Sequence, residues 1–184
     1  MSFVRHIALL IAFAFPAAFA DAAGSEQSDF EYQIKAAYLY KFIAYVEWPA
    51  AAFAEAATPV TIGVVGADDL AAELNNLKRG RLVNNRAVAV KLLKPGDLLT
   101  GVQILFIGRQ ESGRLKHLLD GIQSQPVLTV TEWSGALGAG SMINFVPVDD
   151  RIRFEVSAAS AERSGLKISA RLLSVAQKVE TRRP

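Results

Sequence analysis

Apolar positions along this 184-residue chain fall into short runs whose spacing changes from one segment to the next. Ile7 to Phe15 is unbroken and apolar, follows Arg5 and His6, and leads through Pro16 to the small-residue pattern Ala18-Phe19-Ala20. A run of that length does not cross a bilayer. With its basic start and A-x-A ending it predicts a cleavable signal sequence over 1–20, and so export to the periplasm. The polar residues 21–28 then predict a flexible leader. Ser28 and Glu31 have the spacing of a capping box, and Pro49 is a stop signal. A helix is therefore predicted from about Asp29 to Glu47. Phe30, Ile34, Ala37, Tyr38 and Tyr45 fall on one face of it, and Tyr32, Ala36, Leu39, Ile43 and Val46 on roughly the opposite face. One sheet cannot cover both sides, so part of this helix is expected to contact a second molecule. Lys35, Lys41 and Glu47 break the run and exclude a membrane span here.

Farther along, Pro59 to Gly66 reads as a buried strand closed by a glycine turn, and Leu70, Leu74 and Leu77 keep helical spacing up to Lys78. Val88 to Leu93 and Val102 to Ile107 suit strands buried on both faces, separated by the turn signal Pro95-Gly96-Asp97. Leu115, Leu118, Leu119 and Ile122 predict a helix, and Pro126 to Val130 the next strand. Met142 to Val148 and Arg151 to Val156 flank Asp149-Asp150, the second run alternating apolar and charged, which predicts an antiparallel hairpin at a sheet edge. Ile168, Leu172, Val175 and Val179 predict a closing amphipathic helix. The expected fold is α/β. It is a single three-layer domain over 29–184 with a mostly parallel sheet, an antiparallel edge hairpin and helices on both faces.

Composition narrows the chemistry. Twenty basic and 18 acidic residues leave a net charge of +2, too small a surplus to favour nucleic acid or an anionic membrane. With no cysteine, thiol catalysis, disulfide switching and cysteine-bound metal are excluded. His117 is the one histidine beyond the signal sequence, and alone it is weak support for a triad or metal site. Asp68-Asp69 and Asp149-Asp150 fit caps and turns better than acid/base pairs. Gly63 and Gly66 lack the third glycine and basic partner of a phosphate-binding loop and are read as a tight turn. Lys167 and Arg171, four apart near the start of the last predicted helix, are a candidate anion pair, with ordinary solvated charge as the competing reading.

All four tyrosines, Tyr32, Tyr38, Tyr40 and Tyr45, lie in the first predicted helix with Phe42, and Trp48 follows. Tyr32, Leu39, Tyr40, Ile43 and Trp48 are the candidate partner-binding residues, core packing being the competing role. The stretch from Glu31 to Pro49, EYQIKAAYLYKFIAYVEWP, resembles the opening signature of the YfiR family. The segments at 104–132, 140–146 and 152–176 are similar to its later blocks, although many relatives place asparagine where this chain has Ser157 and some carry cysteines. The resemblance implies a periplasmic α/β domain, often dimeric, with no catalytic activity and no cofactor. It implies a partner in the periplasmic portion of an inner-membrane diguanylate cyclase, whose repression lowers cyclic di-GMP and biofilm output. A periplasmic sensor binding a small ligand at the carboxyl ends of the parallel strands is the alternative.

Overall fold

The computed structural model describes residues 20–55, 57–123 and 125–181. The expected signal sequence lies outside them except for Ala20. Helix α1 (Ala20–Tyr45) leads into β1 (Val46–Glu47) and a 3-10 turn at Ala50–Ala52. Then follow β2 (Val60–Val65), α2 (Asp68–Leu77), β3 (Leu82–Val83), β4 (Arg86–Leu93) and β5 (Ile104–Ile107). A 3-10 segment at Arg109–Arg114 precedes α3 (Leu115–Asp120), β6 (Leu128–Thr131), β7 (Ile143–Val148), β8 (Arg151–Ser157) and α4 (Ala158–Arg163). The described chain ends with β9 (Lys167–Ile168), α5 (Ala170–Leu173) and β10 (Lys178–Glu180).

Eight strands form one sheet in the order β10-β8-β7-β6-β5-β2-β4-β3, and β1 pairs with β9 in a second, antiparallel sheet. Within the large sheet β4, β2, β5, β6 and β7 run parallel. Counted among themselves in chain order, these five lie 2-1-3-4-5, the doubly wound order whose connections change direction between the first and third strands, here β2 and β5. Each central strand is buried on both faces. Ile62, Val64, Ile104, Phe106, Leu128 and Val130 point to the side carrying α1 and α2. Val65, Leu105 and Ile107 point to the side carrying α3. This is the expected three-layer α/β architecture.

The two-sided apolar pattern of α1 is satisfied inside the chain. Apart from Ala37, its buried and half-buried residues span about 240° at 100° per residue, and three surfaces cover that arc. The sheet lies under Leu39 and Ile43. Phe145 and Phe154 meet the rings of Tyr38 and Phe42 at centroid distances of 5.2 to 6.0 Å. Helix α2 packs along the other flank, with Leu70, Ala71 and Leu74 in the same core as Ala36. The expectation that opposing apolar faces require a second molecule is thereby corrected.

Several local expectations change for identifiable reasons. Residues 21–28 are helical rather than an irregular leader, so Ser28 does not begin the helix. At its other end α1 stops at Tyr45, because Val46 and Glu47 pair with Ile168 and Lys167. The hairpin of β7 and β8 turns at Asp149 and Asp150, both with positive φ (47° and 55°). It is antiparallel as expected, but β10 pairs beside β8 and removes it from the edge. No long closing helix forms. The Ser169 side chain caps a helix of only four residues, Leu172 is its one buried residue, and Val175 and Val179 are 59% and 36% exposed. A short hairpin of β3 and β4, turning at Asn84-Asn85 with φ of 49° and 64°, was not anticipated, although Asn-Asn between two short apolar pairs suits a turn of this kind. Residues Lys91 and Leu92 of β4 are exposed rather than buried on both faces.

At the switch point the loops after β2 and β5 touch. A Cβ on Gly108 would stand 2.1 Å from the Gly66 carbonyl oxygen. Gly108→Ala must push these loops apart, and we expect a loss of about 3 kcal/mol or more in stability, read from the midpoint of urea unfolding. A midpoint within error of wild type would show that the loops separate freely.

Candidate functional site

Four charged side chains converge at the carboxyl ends of the parallel strands. Lys35 sits on the inward side of α1 and is 1% exposed, and Glu132, immediately after β6, is 4% exposed. The Lys35 ammonium donates to carboxylates of both Glu132 and Glu31. Arg109, at the end of the β5 loop, donates its backbone N–H to Glu132 Oε1 at 2.9 Å and its Nη2 to Glu31 Oε1 at 3.0 Å. Two cations thus face two anions, and every buried charge has a partner, as burial demands. The Lys35 ammonium also lies 5.4 Å from the centre of the Tyr32 ring, within cation–π range.

The cluster acts on Tyr32, which is half-buried beside it. Burial first, and then the negative charges of Glu132 and Glu31, raise the Tyr32 phenol above its ordinary value. Two residues before Tyr32, Phe30 is 58% exposed. An aromatic residue in water beside a rigid charged cluster is suited to docking rather than to acid/base chemistry.

The other sequence-based candidates scatter. Leu39 and Ile43 are 0% and 2% exposed and belong to the core, which corrects their expected place at a partner surface. Tyr40 is half-buried, its hydroxyl enclosed without a hydrogen-bond partner among the described residues. Trp48 lies at the far end of α1, where its Nε1 donates to the Gln103 carbonyl at 3.1 Å. With Phe53 and Arg86 it lines a hollow of about 320 Å³, the guanidinium stacked 4.0 Å from the centre of the Phe53 ring. Lys167 is in β9 and Arg171 in α5, so they share no helical face, and the geometry of the anion pair is not formed. His117 is exposed. Lys35, Arg109 and Glu132 were missed as site residues, although one charge within an aromatic helix pattern signals a buried partner.

The YfiR/HmsC-like family model matches residues 32–177. The chain belongs to the YfiR/HmsC-like family. No curated protein is significantly similar to it. The matched span of this YfiR/HmsC-like chain begins at Tyr32 and takes in Lys35, Arg109 and Glu132. It covers every strand of the large sheet except β10. Among the described residues no helix is long and apolar enough to cross a membrane.

Two measurements test the cluster. Lys35→Met and Glu132→Gln each leave a buried charge short of its partner and are expected to lower stability by about 3–5 kcal/mol. In a double-mutant cycle the combined variant should stand above the sum of the single losses by about 1 kcal/mol or more, and strict additivity would show that the pair does not interact. For Tyr32, a raised pKa means that folding favours the protonated phenol. That contribution is complete below the ordinary tyrosine value of about 10 and is lost as pH climbs through the raised one. Phenolate absorbance should show a step above the ordinary range that is missing in Tyr32→Phe and moves down in Glu31→Gln. An unmoved step in Glu31→Gln would place that charge elsewhere.

Proposed function

We propose that this protein is a periplasmic regulator that binds the periplasmic portion of an inner-membrane diguanylate cyclase and holds it inactive, lowering cyclic di-GMP and biofilm output. Family membership over residues 32–177 carries this reading. The signal-like pattern of Ile7 to Ala20 supports export. No chemistry is required of such a protein. A regulator needs only different affinities for the partner's two states, and each tenfold difference shifts the equilibrium by about 1.4 kcal/mol.

Tyr32, Tyr40 and Trp48 remain the proposed contacts from the sequence reading, and the exposed Phe30 joins them. Phe30 and Tyr32 lie within α1 just before Lys35, whose pair with Glu132 ties that stretch of the helix to the sheet, so little conformational freedom is lost when a partner docks there.

Deleting the gene should raise cyclic di-GMP, and restoring the wild-type chain should lower it again. Phe30→Ala with Tyr32→Ala should fail to restore repression and should reduce capture of the membrane cyclase by at least about tenfold, the scale of a docking hot spot, while accumulating in the periplasm like wild type. An unchanged cyclic di-GMP level on deletion, with no cyclase co-purifying with the tagged protein, would refute the assignment.

A further inference from the structure

A cavity of about 570 Å³ opens at the opposite end of the sheet, beside the amino ends of β6 and β7. Ligand pockets generally fall between about 300 and 1,000 Å³. Buried Leu119, Ile122, Leu137 and Met142 supply the apolar part of its lining. The polar wall is Ser157, Ser160 and Arg163, whose spacing of three places them on one face of α4 and its entry.

This wall holds unspent hydrogen-bond donors. Ser157 Oγ and Ser160 Oγ lie 2.9 Å apart, and Arg163 Nη2 donates to Ser160 Oγ at 3.0 Å. Whichever serine donates to the other, one hydroxyl proton is left without an acceptor among the described residues, although the residues are only 5% and 6% exposed. Thr129, 2% exposed, accepts from the Met142 backbone N–H at 3.0 Å, and its own O–H has no acceptor among the described residues. The charges are also unbalanced. On the rim Lys116 pairs with Asp120 and Glu180 with Lys178, each at 2.7 Å. Among the described residues Arg163 has no carboxylate partner.

We propose that this cavity binds a small organic monocarboxylate. The Arg163 guanidinium and the free serine hydroxyl hold the carboxylate, in the fork geometry that favours such pairs, and the apolar body of the ligand lies on Leu119, Ile122, Leu137 and Met142. A dianion fits less well, because Asp120 and Glu180 stand on the same rim and repel a second negative charge. The site is separate from the Tyr32 surface, and its existence does not depend on the regulatory reading.

The test is nuclear magnetic resonance titration of isotope-labelled protein with benzoate and hexanoate, with inorganic phosphate as comparator. Either carboxylate should give saturable shifts confined to amides around Thr129, 137–142 and 157–164. Arg163 is exposed, so Arg163→Ala should keep its unfolding midpoint while losing at least about tenfold in carboxylate affinity, the loss of one charge-assisted bond. Phosphate should bind more weakly than either carboxylate. The proposal is overturned by an absence of saturable shifts up to about 10 mM carboxylate, which is weaker than any useful site. It is equally overturned by shifts centred elsewhere, by unchanged affinity in Arg163→Ala, or by phosphate binding more tightly.

Discussion

An ammonium sealed inside a protein is tolerated only where carboxylates lie against it, because its water must be replaced by charge and hydrogen bonds of the right sign. Lys35 is such a group, and the carboxyl end of the sheet is arranged around it. Glu31 comes from the preceding turn of α1, Glu132 from the end of β6, and Arg109 from the end of β5. The carboxylates are held in turn, Glu132 by the Arg109 backbone N–H and Glu31 by the Arg109 guanidinium. Three segments distant in sequence are thus tied at one point. Such a network adds little net stability over a well-packed apolar substitute. It does define where α1 lies along the sheet, since sliding the helix by one residue would strand the charge.

The aromatic content of α1 follows from the same placement. A helix laid on a curled sheet and flanked by a second helix is enclosed over more than half its circumference, and large flat rings fill the wedge between a round helix and two inclined walls. Tyr38 and Phe42 do this against Phe145 and Phe154, mostly in tilted or edge-on contacts, which aromatic pairs favour. Enclosure of Leu39 and Ile43 leaves only the helix ends and a narrow outer strip available to a partner. In the first half of the helix that surface combines Phe30 with the Tyr32 phenol, whose pKa is raised by burial first and then by Glu132 and Glu31.

The centre of the parallel core was readable in the sequence because β2, β5 and β6 are short continuous apolar runs buried on two faces, the environment that produces such runs. The 2-1-3-4-5 order was not readable, since it depends on which strands pair and not on any one strand's pattern. The C-terminal segment misled for a physical reason. Ile168, Leu172, Val175 and Val179 carry helical spacing, yet Ser169 caps a separate short helix and the chain then extends to pair with β8. Local periodicity lost to tertiary pairing there. The charge cluster was hidden because Lys35 and Glu132 lie 97 positions apart and Glu31 and Arg109 lie 78 apart. Lys35 gave a one-sided sign of it, while nothing in the neighbourhood of Glu132 marks that residue as the partner.

The two ends of the molecule are not mechanically independent. Helix α1 continues directly into β1, and β1 pairs with β9, which follows α4 after Ser164, Gly165 and Leu166. The Ser169 backbone N–H donates to the Tyr45 carbonyl at 2.9 Å and extends the tie by one more bond. The wall that carries Ser160 and Arg163 is therefore joined to the carboxyl end of the helix that carries Tyr32. A tie of this kind is not itself allostery, which requires two states that both sites bias. It limits the form coupling can take. A shift of α4 has two routes toward Tyr32, one through this tie and along α1, the other through β6, which carries Thr129 in the cavity wall and leads directly into Glu132. With the ion pair intact, sliding of α1 along its axis is opposed, because it would strand the buried Lys35 charge.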